Sequence, residues 1–197
     1  MEHVTFERTV PEGYREAYHM DATNKKTGTL LSVLSLVIAV PLIYLVIKTT
    51  DFSRFDFSSM LKYYLALLVL MVSYIILHEL VHGAVYKMLT KEKLRFGLTW
   101  TVAFCGVPDI YTYRDTALKA LVAPLTLFSV ILLPLALWLR SVDPGWYMVA
   151  GVLFSLHLGG CIGDMYMTWM FLTKLREPST LMRDTGPEQW IYVRENG

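Results

Sequence analysis

Four long apolar runs constrain the fold of this chain more than any other feature. They cover residues 30–47, about 61–86, 120–139 and about 146–172. Each is close to the roughly 20 apolar residues that a helix needs to cross a bilayer. Backbone polar groups inside a membrane must be bonded internally, so each run is expected to be helical. The sequence therefore predicts an all-α membrane protein with four transmembrane helices and both termini on one side.

The composition narrows the functional class. Hydrophobic residues make up 54% of the 197 residues and charged residues 18%, and this apolar share exceeds the roughly 45–50% of soluble domains. With a net charge of +1, no nucleic-acid partner is expected. The two cysteines could form at most one disulfide and do not require an oxidising compartment. The polar first 29 residues do not predict a secretory signal.

The positive residues predict the orientation in the membrane. Of the 18 lysines and arginines, 14 precede the first run, follow the second run or follow the fourth. Because positive residues are retained on the cytoplasmic side, both termini are predicted to be cytoplasmic. The predicted organisation is a cytoplasmic N-terminal segment (1–29), a four-helix membrane domain (30–176) and a cytoplasmic tail (177–197).

The loop between the second and third runs predicts β-structure. From residue 94 to 104, apolar residues, including Trp100 and Val102, alternate with small or polar ones, as in a strand with one apolar face. After a turn at 105–109, residues 110–113 are expected to return as the partner strand. A small cytoplasmic β-hairpin between helices 2 and 3 is thus predicted, with residues 181–193 extended and packed on the same face. Residues 4–6 predict a short strand, followed by a turn at 11–13.

The chemistry of the chain is concentrated in His78-Glu79-Leu80-Val81-His82, inside the second run. In a helix, residues four apart share a face, so these two imidazoles can bind one metal ion. The glutamate beside the first histidine can reach a water on that ion. Ionisable groups within a membrane span are costly and usually serve a function. The alternatives are a structural histidine pair with Glu79 protonated, or a proton relay.

A catalytic zinc site uses three protein ligands and one open position, so a third ligand is needed. The metzincin extension is excluded, because Val85 and Met88 stand where its glycine and histidine would be. The remaining candidates are Glu92, Asp109, Asp115, His157 and Asp164.

Depth in the membrane separates the two candidates of the fourth run. Counted from the nearest cytoplasmic lysine at about 1.5 Å per residue, His78 is about 14 Å deep, Asp164 about 15 Å and His157 about 26 Å. Asp164 is level with the histidines, whereas His157 is placed above the metal. The sequence therefore predicts a zinc site of His78, His82 and Asp164, with Glu79 as the catalytic base.

Glycines near Asp164 agree with this choice. Gly159, Gly160 and Gly163 precede the aspartate, and small residues let two membrane helices approach closely, as a shared metal requires. Ordinary glycine packing is the alternative explanation of this cluster.

These features together resemble known intramembrane zinc proteases. The helix-borne pair of histidines, a following strand segment, Ala123-Pro124-Leu125 near the start of the third run and an aspartate late in the last run look like the site-2 protease class. The closer resemblance is to small bacterial membrane proteins grouped as zincin peptidases, a family first catalogued as a domain of unknown function. It covers about residues 65 to 192, including Gly163-Asp164-Met165-Tyr166 and the tail Arg183-Asp184-Thr185-Gly186.

The resemblance has one departure. In the site-2 class the third ligand is the aspartate of a Leu-Asp-Gly motif, preceded by an asparagine eight residues earlier and by a proline between them. Here the motif is Gly163-Asp164-Met165, His157 stands seven residues before the aspartate, and no proline intervenes. His157 is a candidate substrate contact because it stands close to the position of that asparagine, and the difference in residue type and spacing counts against this role. The three proposed metal ligands are unaffected.

The resemblance implies a zinc metalloprotease of the HExxH type in a bacterial plasma membrane, with Zn²⁺ as its cofactor. Its expected substrate is a membrane protein or a small peptide near the cytoplasmic leaflet. The predicted hairpin would either pair with an unwound substrate segment or cap the helix ends. Two other classes of function stay open: a non-catalytic metal-binding membrane protein, such as a sensor or assembly factor, and an ion pathway protein.

Overall fold

The computed structural model describes residues 4–99 and 103–195. Helices and strands alternate in groups along this part of the chain. The helices are α1 (Lys25–Thr49), α2 (Met60–Thr90), α3 (Arg114–Val142), α4 (Pro144–Gly160) and α5 (Ile162–Thr173), with a 3-10 turn at Phe57–Ser59. The strands are β1 (Phe6–Glu7), β2 (Tyr14–Asp21), β3 (Arg95–Leu98), β4 (Ala103–Gly106), β5 (Tyr111–Tyr113), β6 (Leu181–Asp184) and β7 (Glu188–Arg194).

The apolar runs lie in the long helices. In the described part of the chain, α1, α2 with its preceding 3-10 turn, and α3 are each long and apolar enough to cross a membrane. The fourth run is divided into α4 and α5, which are bent by 46° at a short break. The chain therefore has three candidate spans, or four if the bent pair counts as one.

The chain is mostly helical, but the all-α prediction omitted a sheet. Five antiparallel strands form this sheet in the order β1-β5-β6-β7-β2. The predicted strand near residue 6, the turn near Gly13 and the extended tail are present. Strand β2 was not predicted, because its sequence YREAYHMD carries charged residues along an edge strand and lacks a continuous apolar face.

The predicted hairpin is present with a different pairing. Strand β3 pairs with β4, where Phe96 lies opposite Cys105, so residues 94–104 do not form one strand. Residues 111–113 pair instead with β1 and β6. One physical reason is Gly97: a side chain there would collide with the ring of Phe104, which packs across it. Trp100 and Val102, which belonged to the predicted strand, lie outside the described residues.

Two compact units divide the chain. The first combines Met1–Leu31, Leu77–Pro124 and Gly163–Gly197, and the second combines Ser32–Ile76 and Leu125–Ile162. The core of the first unit contains side chains from helices and sheet that are at most 2% exposed, among them Tyr86, Leu121, Met167, Phe171, Met182 and Ile191.

In the second unit, α4 packs closely on α1. A Cβ at Gly151 would lie 2.7 Å from Val46, and one at Gly159 would lie 2.9 Å from Ser35 Oγ. Gly159, one of the three glycines near Asp164, thus allows a close contact between helices, and the partner of α4 in this contact is α1. Gly160 and Gly163 have open space around them among the described residues. The cluster as a whole is not a helix-packing surface.

We expect Gly106→Ala to separate strand β4 from the turn between β6 and β7. A Cβ at Gly106 would lie 2.5 Å from Gly186 N and 2.8 Å from Asp184 O, and these backbone atoms cannot move independently. Overpacking of this kind typically lowers the free energy of unfolding by about 1–3 kcal/mol. Thermal unfolding in detergent measures the effect, with Gly160→Ala as the control in open space. A Gly106→Ala protein as stable as the wild type would contradict this packing.

Candidate metal centre

Two histidines of helix α2 form the base of the site. His78 and His82 are one helical turn apart, so their side chains project from the same face. Their Nε2 atoms lie 3.1 Å apart, and each residue is 8% exposed. The spacing read from the sequence thus brings two imidazole nitrogens to one buried point.

Asp164 joins this pair from the first turn of helix α5. Its Oδ2 atom lies 3.3 Å from His78 Nε2 and 3.3 Å from His82 Nε2, and its side chain is 16% exposed. The three residues that the sequence predicted as metal ligands therefore face one another.

The chemistry of these atoms fits a bound cation. His82 Nδ1 lies 2.9 Å from the carbonyl oxygen of Ala120. A carbonyl can only accept, so Nδ1 donates its proton and Nε2 of the neutral ring presents a lone pair. Ligands about 2.0–2.1 Å from a tetrahedral zinc are separated by about 3.3 Å. The observed separations match this value. Two imidazoles and one carboxylate supply three ligands, so a fourth coordination position would stay open.

Glu79 lies beside the three ligands and is not one of them. Its half-buried carboxylate lies close to the main-chain N–H of Cys105 in strand β4. Burial raises the pKa of the Cys105 thiol to about 12, so this residue acts through its backbone and its thiol stays neutral. The carboxylate is thus oriented next to the metal ligands by a neighbouring strand.

The hairpin of β3 and β4 packs on helix α2 next to the site. A Cβ at Gly83, the neighbour of His82, would lie 2.7 Å from the ring of Phe96 and 3.2 Å from Cys105 Sγ. The glycine lets the hairpin approach the helix that carries the histidines.

The other candidate ligands lie elsewhere. Asp109 is exposed, Asp115 is paired with Arg114 at 3.0 Å, and Glu92 accepts from Arg8 at 2.6 Å. None of these three acids belongs to the group of converging ligand atoms.

His157 belongs to a polar cluster of the second unit. It is fully buried, with Nδ1 2.8 Å from Tyr74 Oη and Nε2 3.1 Å from Ser129 Oγ. These contacts link α2, α3 and α4 within that unit. A contact between His157 and a substrate stays a prediction.

Comparison with known protein families identifies the chain. Residues 68–177 match the family described as "Putative zincin peptidase", and the match covers more than half of the chain. The chain belongs to this zincin peptidase family. The matched segment contains both histidines, Glu79 and Asp164. No curated protein and no solved structure is detectably similar to the chain.

Two residues near the centre of this zincin family member were not predicted from the sequence. Tyr86 is 1% exposed and donates to Asp184 Oδ2 at 2.7 Å. Tyr86 follows His82 by four residues, and this spacing was the available signal. Asp184 lies in the tail, beyond the segment matched by the family. The resemblance includes its segment Arg183-Asp184-Thr185-Gly186, but local sequence does not indicate that it reaches helix α2.

We expect Asp164→Ala to reduce zinc content sharply, because two histidines make an incomplete site. Elemental analysis of the purified protein measures zinc per chain, and Asp115→Ala is the control for loss of an exposed aspartate. Full zinc occupancy in the Asp164→Ala protein would disprove the ligand assignment.

Proposed function

We propose that the chain is an intramembrane zinc metallopeptidase of the HExxH type. It hydrolyses peptide bonds of membrane proteins or membrane-associated peptides. The observation that carries the proposal is the meeting of three ligand atoms beside the carboxylate of Glu79, on helices that include a candidate membrane span. Two imidazoles, one carboxylate and an adjacent base are the components that zinc peptidases use.

His78, His82 and Asp164 would hold the metal. Zinc, when bound, lowers the pKa of a coordinated water to about 7. Glu79 accepts a proton from the attacking water and delivers it to the leaving amine nitrogen. The main-chain N–H of Cys105, which lies close to the Glu79 carboxylate, would keep it in place for both transfers.

The hairpin of β3 and β4 is suited to presenting a substrate. Among the described residues it forms a two-stranded sheet of its own, so an extended peptide could add as a further strand. Its contact with α2 at Gly83 keeps such a peptide next to the histidines. A purely structural cap over the helix is the alternative role of this hairpin.

We expect Glu79→Gln to retain zinc and to lose most hydrolysis. The amide keeps the size of the side chain but cannot accept the proton, and general base catalysis typically contributes about 10²–10⁴-fold. The probe is a mixture of quenched fluorescent peptides with apolar segments in detergent micelles. Zinc content is measured on the same samples.

Glu12→Gln, the same change at an exposed turn residue, is the control and should leave the cleavage rate unchanged. Cleavage by Glu79→Gln at the wild-type rate would refute the mechanism. A wild-type protein that binds zinc but cleaves no membrane peptide would favour the non-catalytic metal-binding function.

We further propose that the chain lies in a bacterial plasma membrane with both termini cytoplasmic, as the distribution of positive residues supports. In a protein with both native cysteines replaced, Ser53→Cys should react with an impermeant thiol reagent in intact cells. Lys93→Cys should react only after permeabilisation. Both positions are exposed on the protein, so equal labelling from outside would reverse the proposed topology.

A further inference from the structure

Asp184 is a buried carboxylate at the end of strand β6, where the turn to β7 begins. It is 4% exposed, and its described side-chain partners are uncharged. Oδ2 accepts from Tyr86 Oη at 2.7 Å, and Oδ1 accepts from Gly186 N at 2.9 Å. Burial raises the pKa of Asp184 to about 6, although both hydrogen bonds oppose this shift. Burying such a group is costly, so its position requires an explanation.

The side chain of Asp184 holds the helix that carries the metal ligands. Its partner Tyr86 lies one turn after His82 and two turns after His78, so the three side chains share one face of α2. The Tyr86 ring is 1% exposed. The link from Asp184 therefore fixes the face of α2 next to the proposed metal.

The main chain of Asp184 holds the strand that orients the base. Its carbonyl accepts from Val107 N at 2.8 Å, immediately after β4. Gly106 fits against the same turn, since a Cβ there would lie 2.5 Å from Gly186 N. Cys105, the preceding residue of β4, places its main-chain N–H close to the Glu79 carboxylate. One turn of the tail thus binds both elements that define the position of Glu79.

We propose that Asp184 is a positioning residue, which acts through Tyr86 and strand β4 to hold Glu79 in the geometry for proton transfer. This inference rests on the proposed peptidase function. It extends the site beyond residues 68–177, which the family match covers, and into the C-terminal hairpin.

The test compares variants that break or keep the hydrogen bonds of Asp184. Asp184→Leu is nearly isosteric and removes both acceptors. Asp184→Asn keeps one acceptor for Gly186 N and can donate to the Tyr86 hydroxyl, which also accepts. Tyr86→Phe removes only the hydroxyl, so it tests the link even if Asp184→Leu does not fold. Glu188→Gln, a change at a half-buried acid of the same hairpin that is paired with His19, is the matched control.

With the zinc-loaded full chain and the same quenched peptides, Asp184→Leu and Tyr86→Phe should each lower kcat about 10–100-fold, as is typical for residues that orient a metal site. KM and zinc per chain should stay unchanged. Asp184→Asn should keep most of the wild-type kcat. The double variant Tyr86→Phe/Asp184→Leu should have the same kcat as Asp184→Leu alone, because both changes break the same contact between Tyr86 and Asp184. The control should behave as the wild type.

Two results would overturn the inference. One is unchanged kcat in both Tyr86→Phe and Asp184→Leu, and the other is loss of zinc from Asp184→Leu as complete as from Asp164→Ala, which would make Asp184 a ligand.

If the wild-type protein cleaves no peptide, the peptidase proposal fails separately, and the Co²⁺-loaded proteins decide the positioning role. At one Co²⁺ per chain, Tyr86→Phe and Asp184→Leu should then alter the visible absorption band, as Glu79→Gln does, while Glu188→Gln leaves it unchanged. An unaltered band in both variants would overturn the inference.

Discussion

The meeting of three ligand atoms in a buried space is the constraint on which the site depends. His78 Nε2, His82 Nε2 and Asp164 Oδ2 lie 3.1–3.3 Å apart. Removing such groups from water is costly unless a cation or a proton lies between them. The Ala120 carbonyl fixes the proton of His82 on the opposite side of the ring. The central space therefore suits a metal ion, which when bound would tie α2 to α5.

Apolar packing brings these polar atoms to the same place. The core of the first unit combines Tyr86 of α2, Leu121 of α3, Phe171 of α5 and Ile191 of the sheet. These contacts do not select a metal, since dispersion and burial are not directional. They set the distance between the helices, and the side chains of the centre then select the ion. The polar centre and the apolar core thus contribute separately to how these helices are placed.

The sequence predicted which side chains of the candidate site meet better than it predicted the sheet. The pair of histidines is local, so helical spacing alone places both on one face. Asp164 was found because a membrane helix converts sequence position into depth. The local sequence of a strand does not give the position of its pairing partner in the same way. The alternation in residues 94–104 marks extended structure, but Gly97 and the ring of Phe104 bring the two halves of that segment together. Asp184 reaches the centre through a pairing of the tail, which no local pattern reveals.

The break in the fourth apolar run gives the metal ligand an electrostatic advantage that a continuous helix would not. Because α4 ends at Gly160 and α5 begins at Ile162, Asp164 lies in the first turn of a helix. The N–H groups in the first turn of a helix carry partial positive charge, which favours a carboxylate by about 0.3–1 kcal/mol at exposed sites and up to about 2 kcal/mol when partly buried. In the middle of a continuous span, the same carboxylate would have no free N–H groups nearby. The break in the apolar run therefore places Asp164 at a helix start, where its charge is favoured. The helix start reduces the cost of burying the charge of Asp164 beside the two histidines.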